Sequence, residues 1–161
     1  MKLAEALSLR SDAQKRLAQL QARATASARY QEGEEPVEDA NALVADARAV
    51  VDEIEDLVRR INRTNAASEL EPGLTITDAI ARRDALALRR RLVTAVANAA
   101  AGQHEHDQPA WAQMRQLRSE LRHVTDVPVG DLRREADDLA RRYRELDVRL
   151  QEANWATDLS E

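Results

Sequence analysis

Four acidic side chains in the first half of the sequence have a spacing that suits a divalent cation. Glu32 and Glu35 are three residues apart, and so are Glu53 and Asp56. Residues three apart on a helix share a face, so their carboxylates can converge on a hard cation such as Mg²⁺, which prefers oxygen ligands. The chemistry that such a site suggests is the hydrolysis of a nucleotide.

The residues around both pairs favour a simpler interpretation. Gly33 and Pro36 interrupt the first pair, which predicts that Glu32 and Glu35 lie in a loop. The second pair borders an apolar row and fits the solvated flank of a helix. An ExxE…ExxD pattern binds Mg²⁺ in the all-helical nucleoside triphosphate pyrophosphohydrolases, so a Mg²⁺-dependent nucleotide hydrolase is the alternative. We predict no catalytic residue and no metal site.

A second candidate metal site is formed by His104 and His106, together with Glu105 and Asp107. Two imidazoles and two carboxylates can hold a transition metal. These residues follow Gly102 in a polar stretch, however, and no third histidine is close in the sequence. Solvent exposure is the favoured interpretation, and we expect the protein to carry no cofactor.

Polar residues at the predicted helix ends form a third candidate site. If the second and third helices pack antiparallel, the turn at 62–65 lies near Arg83 and Asp84. A buried carboxylate needs a charged or hydrogen-bonded partner. We therefore favour a buried network that closes the helical hairpin, and an anion or small-ligand pocket is the alternative.

The composition limits the class of protein. The chain has 161 residues, of which 33% are charged and 43% hydrophobic, and it contains no Phe and no Cys. This balance is typical of long helices, and the length suits a single domain over 1–161. The formal net charge of −5 argues against nucleic acid as a partner. Without cysteine or an apolar signal segment, we expect a soluble cytoplasmic protein.

Apolar residues recur at steps of three and four along most of the chain, which is helical spacing. We predict an all-α fold, an antiparallel bundle of four long helices with coiled-coil-like packing. We expect Asp39 to cap the N-terminus of the second helix. Thr75, together with Asp78, is expected to cap the N-terminus of the third helix. The helices are expected at about 2–30, 39–61, 75–101 and 132–153.

The segment before the last helix is expected to be irregular or to include a short extended stretch. The apolar spacing is helical from 110 to 121, whereas Val124, Val127 and Val129 alternate as in a strand. An additional helical turn and an extended excursion both remain open. Any strand is expected at about 121–129.

Each predicted helix has an apolar row that should face the core. On the first helix this row is Leu3, Ala6, Ala13, Leu17, Leu20, Ala24 and Ala28. On the third helix this row includes Leu88 and Leu92, and it also contains Asp84, a carboxylate among apolar neighbours. The last helix has the most regular row, which is Leu132, Ala136, Leu139, Tyr143, Leu146, Leu150 and Ala153. The second helix has an inward row of Leu43, Ala47, Val50, Ile54, Leu57 and Ile61.

The second helix also carries a second apolar row, formed by Val44, Val51 and Val58. A helix in an isolated bundle needs only one such row. Contiguous apolar residues left in water usually mark an interface, and two-fold contacts are the commonest form of self-association. We therefore predict a homo-oligomer based on a dimer. The competing explanation is that residues 110–129 cover these valines within one chain.

Several segments together resemble a small bacterial family of all-helical proteins. The family is largely actinobacterial, has no established function and has sometimes been labelled septicolysin. The segments that carry the resemblance span nearly the whole chain in order. They are Lys2–Leu7, Gln31–Pro36, Ile61–Asn65, Ala79–Asp84 and Gln151–Trp155.

The resemblance implies a soluble helical protein whose activity is not understood. The septicolysin label suggests a pore-forming toxin, but the sequence has no apolar stretch or amphipathic hairpin able to enter a bilayer, so we expect no membrane partner. The shared segments place polar residues at helix ends, where they can gather at one end of the bundle. The ligand-binding set that this suggests is Glu32, Glu34, Asn62, Arg63, Asn65, Arg83 and Asp84.

Overall fold

The structure of the protein, a computed structural model, describes residues 1–103 and 124–161. In these two ranges the chain forms four helices and one hairpin of two short strands. The predicted all-α class is confirmed, and the four helices are consistent with the predicted helical bundle. The elements are α1 (Leu3–Ser27), α2 (Ala40–Ala67), β1 (Glu69–Glu71), β2 (Leu74–Thr75), α3 (Ile76–Ala100) and α4 (Val129–Ala156).

The segment directly before α4 was predicted to be irregular or to include a short extended stretch, and its described part agrees with this prediction. Residues 124–128 adopt neither helix nor strand. The remainder of that segment, and His104 and His106 of the metal hypothesis, lie outside the described residues. None of the helices in the described ranges is long and apolar enough to cross a membrane.

The chain divides into two compact units. The first comprises Met1–Ala79 together with Arg149–Glu161, and the second comprises Ile80–Val148. The first unit therefore contains α1, α2, the hairpin and the residues at both ends of the sequence. That the whole of 1–161 behaves as one domain stays a prediction.

α1 and α2 pack antiparallel and enclose a core of the first unit. Arg16 on α1 pairs with Glu53 on α2, and Arg23 pairs with Glu38 just before α2, so later residues of α1 meet earlier residues of α2. Full burial of one Leu or Val side chain contributes about 1.5–3 kcal/mol. The buried side chains follow the predicted rows and are Ala13, Leu20, Ala24, Leu43 and Val50, with Leu17, Ala47 and Ile54 packed against them.

Two helix starts are capped as predicted. Asp39 Oδ1 accepts hydrogen bonds from the backbone nitrogens of Asn41 and Ala42 at 2.9 and 3.2 Å. Thr75 Oγ1 accepts one from the backbone nitrogen of Asp78 at 3.1 Å and donates to the carboxylate of the same residue at 2.6 Å. Side-chain oxygens thus satisfy backbone N–H groups that have no partner inside the helix.

The end of α2 differs from its prediction. The asparagines at 62 and 65 predicted a helix end near Ile61, whereas the helix continues to Ala67. Weak helix propensity costs at most about 0.7 kcal/mol per residue. Ile61 and Thr64 are each exposed by only 1%, and the packing of these two side chains outweighs that cost.

The connector between α2 and α3 forms a hairpin that the sequence did not predict. Glu69 pairs with Thr75 in antiparallel register. Gly73 turns the chain with a φ of 79°, a left-handed conformation that glycine adopts without strain. The expectation that any strand would lie at 121–129 is wrong here, and the described part of that range, 124–129, contains no strand.

The buried face of α3 is not the predicted one. Leu88 and Leu92 were predicted to face inward, yet 62% and 64% of their surface is exposed, and Asp84 on the same row is exposed too. Burial of the predicted row would also have buried the carboxylate of Asp84, which is costly, and none of the side chains that α3 buries is charged. The buried side chains of α3 are Ile76, Ala79, Leu86, Val93 and Ala97.

The predicted apolar row of α4 is confirmed. Leu139, Leu146 and Leu150 are buried. The other members of the row are partly buried, and most charged residues between them are exposed, as an amphipathic helix requires.

The two ends of the sequence lie side by side in the first unit. The backbone nitrogen of Leu3 donates to the carbonyl oxygen of Thr157 at 2.9 Å, beside an antiparallel bridge between Lys2 and Asp158. Lys2 Nζ also lies 2.9 Å from Asp158 Oδ1, and its hydrogen bond lowers the pKa of that carboxyl group. Because Leu3 is fully buried, α1 starts from a fixed position.

Replacement of the α2 cap should weaken the fold. We expect Asp39→Ala to lower the free energy of unfolding by about 1 kcal/mol, because two backbone N–H groups lose their acceptor. Urea unfolding followed by circular dichroism measures the change. Asp39→Asn keeps a capping oxygen and should retain most of the stability, whereas Asp52→Ala, at an exposed position of the same helix, should change it by less than about 0.5 kcal/mol. Equal losses in both Asp39 variants would contradict the capping role.

The ion pair between Arg23 and Glu38 should make stability depend on pH. The hydrogen bond from Arg23 lowers the pKa of Glu38. This carboxylate therefore stabilises the fold above its unfolded-state pKa, and the contribution is lost as the pH falls through the lower folded-state pKa. Glu38→Gln should be less stable than the natural sequence at neutral pH, and the two should converge in acid. A difference that stays constant in urea titrations across this range would refute the assignment.

Candidate functional site

An apolar groove on the first unit is the strongest candidate for a binding site. Its volume is about 790 Å³. The second half of α1 forms one wall and the first half of α2 the other, and Tyr30 and Pro36 line the end nearest the connecting loop. The apolar side chains along the walls are Leu17, Ala24, Ala28, Val44, Ala47 and Val51.

The groove exists because facing side chains are small. Ala24 on α1 and Ala47 on α2 leave a space that larger side chains would fill. The polar residues of the lining are Gln21, Thr25, Ser27, Asp39, Asn41 and Arg48. A mostly apolar lining with a few polar groups suits an apolar side chain or a helix better than a phosphate or a metal ion.

Two of the three valines predicted to form an interface lie on the α2 wall of this groove. Val44 and Val51 expose 39% and 47% of their surface, and Val58 is partly buried. The neighbouring row, which includes Val50, belongs to the core that α2 forms with α1. α2 thus buries the row that includes Val50 within the chain. It leaves much of the second row, which includes Val44 and Val51, exposed. The interface itself stays a prediction.

Arginines hold the second acidic pair of the magnesium hypothesis. Glu53 pairs with Arg16, and Asp56 Oδ1 accepts a hydrogen bond from Arg59 at 2.8 Å. The bond from Arg59 lowers the pKa of Asp56. In the described ranges no group of three or more His, Asp or Glu side chains is placed to hold a metal ion. Guanidinium groups supply the positive charge that a bound cation would otherwise supply.

The acidic residues of the first pair lie in the loop between α1 and α2. Glu32, Glu34 and Glu35 are all exposed there. The backbone nitrogen of Glu34 donates to the carbonyl oxygen of Gln31 at 3.0 Å, and the loop borders a shallow cavity of about 400 Å³. The loop position of this pair agrees with its prediction, and a ligand role for Glu32 and Glu34 stays a prediction.

The polar residues at 62–65 do not form a turn but belong to the last turns of α2. Arg63 Nη1 donates to the carbonyl oxygen of Glu161 at 2.9 Å. Asn62 is exposed and Asn65 is partly buried. Arg63 therefore holds Glu161 against α2. A buried network that joins these residues to Arg83 and Asp84 stays a prediction.

Thr64 is the buried residue of the polar segment 62–65, although the predicted ligand-binding set does not include it. Its hydroxyl accepts a hydrogen bond from the backbone nitrogen of Ser160 at 2.9 Å and lies 2.9 Å from the carbonyl oxygen of Arg60, to which it donates. Arg60 Nε in turn donates to the carbonyl oxygen of Ser160 at 3.1 Å. The signal was present, since Thr64 continues the inward row of α2 three residues after Ile61.

Arg83 and Asp84 belong to the second unit and pair with each other there. Arg83 Nη2 lies 2.8 Å from Asp84 Oδ1, and Arg83 Nη1 lies 3.3 Å from Asp147 Oδ1. Burial alone would lower the pKa of Arg83, but the hydrogen bonds to these two carboxylates raise it overall. The predicted arginine partner of Asp84 is therefore present. Asn62 and Arg63 lie in the first unit, so their predicted convergence with Asp84 stays a prediction.

Comparisons with known proteins relate the chain to proteins of unknown function. A comparison with curated proteins found no match. Among solved structures, the chain is similar to the crystal structure of a functionally unknown conserved protein from Corynebacterium diphtheriae, with 38% sequence identity and a TM-score of 0.86 over 99% of both chains. Residues 10–159 match the model of a family of unknown function, DUF6847. Because this match covers nearly the whole sequence, the chain belongs to the family of unknown function DUF6847.

Proposed function

We propose that this protein is a non-enzymatic helical protein that works as a homo-oligomer built on a dimer, and that its copies associate through α2. The observation that carries the proposal is the exposure of Val44 and Val51 along the apolar groove. Val58 continues the same row. These three valines are the contact surface that we assign to each copy.

α2 leaves part of its apolar surface in water. Full burial of one Val side chain is worth about 1.5–3 kcal/mol, and contiguous exposed apolar groups usually mark a binding surface. The small side chains of Ala24 and Ala47 line the same groove and let a helix approach closely. A second copy is the simplest partner, because two-fold contacts between identical surfaces are the commonest form of self-association.

α3 carries a rival surface. Leu88, Leu92 and Val96 are spaced by four residues and are exposed on the second unit. We favour α2 because its valines line a groove with two helical walls, into which a partner can pack. The two surfaces are on different helices, so one variant in each row separates them.

The alternative functions have weaker support. A Mg²⁺-dependent hydrolase would need Glu53 and Asp56 as cation ligands, and both carboxylates pair with arginines instead. An anion-binding or small-ligand module at the end of α2 would need the guanidinium of Arg63, which binds the carbonyl oxygen of Glu161.

We further propose that the protein acts in the cytoplasm and that the helices of its bundle pack as in a coiled coil. The Corynebacterium origin of the similar structure supports the resemblance to a largely actinobacterial family. The septicolysin label plays no part in the proposal.

Light scattering at micromolar concentration tests the oligomer. We expect a mass that is a multiple of 18.0 kDa. Val51→Glu should dissociate the oligomer, because an unpaired carboxylate buried in an apolar contact costs several kcal/mol. Val148→Glu places the same substitution at another exposed helical valine, 57% of whose surface is accessible, and should leave the mass unchanged.

Two results would overturn this proposal. One is a mass of a single chain for the natural sequence. The other is an oligomer that survives Val51→Glu but dissociates with Leu88→Glu, which would move the contact to α3. Circular dichroism of every variant verifies that the helices are intact, so that a change in mass reports on association.

A panel of nucleoside triphosphates with Mg²⁺ or Mn²⁺ tests the hydrolase alternative. We expect no turnover by the natural sequence, because Arg16 already neutralises Glu53. Glu53→Gln should behave in the same way in this assay. Hydrolysis that the natural sequence catalyses and Glu53→Gln abolishes would contradict a non-enzymatic function.

A further inference from the structure

The exposed row of α2 contains polar residues as well as valines, and their order is symmetric. The row steps by three and four residues, so its members share one face of the helix. Its central part runs Val44, Arg48, Val51, Glu55 and Val58, and Asn41 and Asn62 extend it at the two ends. All of these side chains are exposed except Val58, which is partly buried. The order is thus symmetric about Val51. Valine and asparagine recur on both sides of it, and Arg48 on one side corresponds to Glu55 on the other.

We infer that α2 pairs antiparallel with α2 of a second copy, with Val51 against its own equivalent and Arg48 opposite Glu55 at two symmetric places. Val44 then lies beside Val58 of the second copy. This inference rests on the proposed self-association and adds the orientation and register of the contact.

The register follows from helix geometry. We place the two-fold axis perpendicular to α2, between residues 51 and 52. Each residue of one copy is then level, along the helix, with the residue of the second copy that is equally far from the axis in the opposite direction of the sequence. Arg48 and Glu55 are equally far from this axis and become level with each other. The valine pairs are displaced by one residue, which is about 1.5 Å along the helix, and their side chains still meet.

Charge favours the antiparallel orientation over the parallel one. In the antiparallel pair, Arg48 of each copy faces Glu55 of the other, which gives two ion pairs. In a parallel pair in register, Arg48 would face Arg48 and Glu55 would face Glu55, and like charges in such positions repel. The charges on the row therefore destabilise the parallel pair and stabilise the antiparallel pair.

Arg48 and Glu55 are available for contacts of this kind. In the described ranges neither takes part in an ion pair within the chain, whereas Glu53 and Asp56 of the same helix are paired with arginines. Arg48 also lines the apolar groove beside Val44 and Val51. Arg48, which would pair with Glu55 of the second copy, thus lies beside the valines that would contact that copy.

Single-cysteine variants test the register, because the chain has no cysteine of its own. Val51→Cys should give a disulfide-linked dimer on air oxidation, since two copies of this position face each other within the reach of a disulfide. Val44→Cys is the matched control. Its two copies would lie about 22 Å apart along the helix, so it should stay unlinked. Linkage of both variants would indicate parallel pairing and overturn the inference.

Charge reversal tests the ion pairs. Arg48→Glu, or Glu55→Arg, places like charges opposite each other at both symmetric places, and we expect either change to raise the dimer Kd about tenfold. The combination of both reversals should restore the Kd to within about twofold of the natural value. Sedimentation at low ionic strength is the suitable measurement, because salt screens exposed charges. A combined variant as weak as the single ones would refute the pairing.

The results separate this inference from the proposed function. If the natural sequence is monomeric, the proposed self-association fails and the pairing fails with it. If the natural sequence associates and Val51→Glu dissociates it, but Val51→Cys does not link, self-association stands and the antiparallel register is wrong.

Discussion

The close approach of α1 and α2 is the contact on which the rest of the first unit depends. The chain contains no Phe, so aliphatic side chains of modest size must fill the core, and the helices must lie near each other to leave few voids. Ala13 and Ala24 of α1 are buried in this contact and permit it. Ala24 also lines the groove, together with Ala47, and the second valine row of α2 borders it.

Spacing predicted the helices, and it predicted the inward rows of α1, α2 and α4, although α2 also has a second apolar row that the structure leaves largely exposed. α3 has two competing rows, and spacing alone does not show which of them a neighbour covers. The end of α2 was misplaced because the propensity of asparagine is a local property, whereas Ile61 and Thr64 are fixed by distant contacts. The hairpin at Gly73 was missed because its strands are too short to show alternation.

In the candidate site, too, the sequence predicts local contacts of charged side chains better than contacts between different elements. Asp84 was expected to need an arginine, and Arg83 beside it in the sequence is its partner. Glu53 was considered for a cation, but its partner is Arg16, a residue of another helix. Spacing shows which residues share a helix face, but it does not show which charge from another element neutralises them. The groove could not be predicted either, since it depends on how closely two helices approach.

The contact between the two ends of the sequence has a consequence for synthesis. The first unit combines Met1–Ala79 with Arg149–Glu161, so its last segment leaves the ribosome only after the whole second unit has been translated. Contacts between residues so far apart in sequence form late. Until this segment emerges, Lys2 lacks its ion-pair partner Asp158, and the backbone nitrogen of Leu3 lacks its acceptor on Thr157. The first unit can therefore complete its fold only after the second unit has been translated.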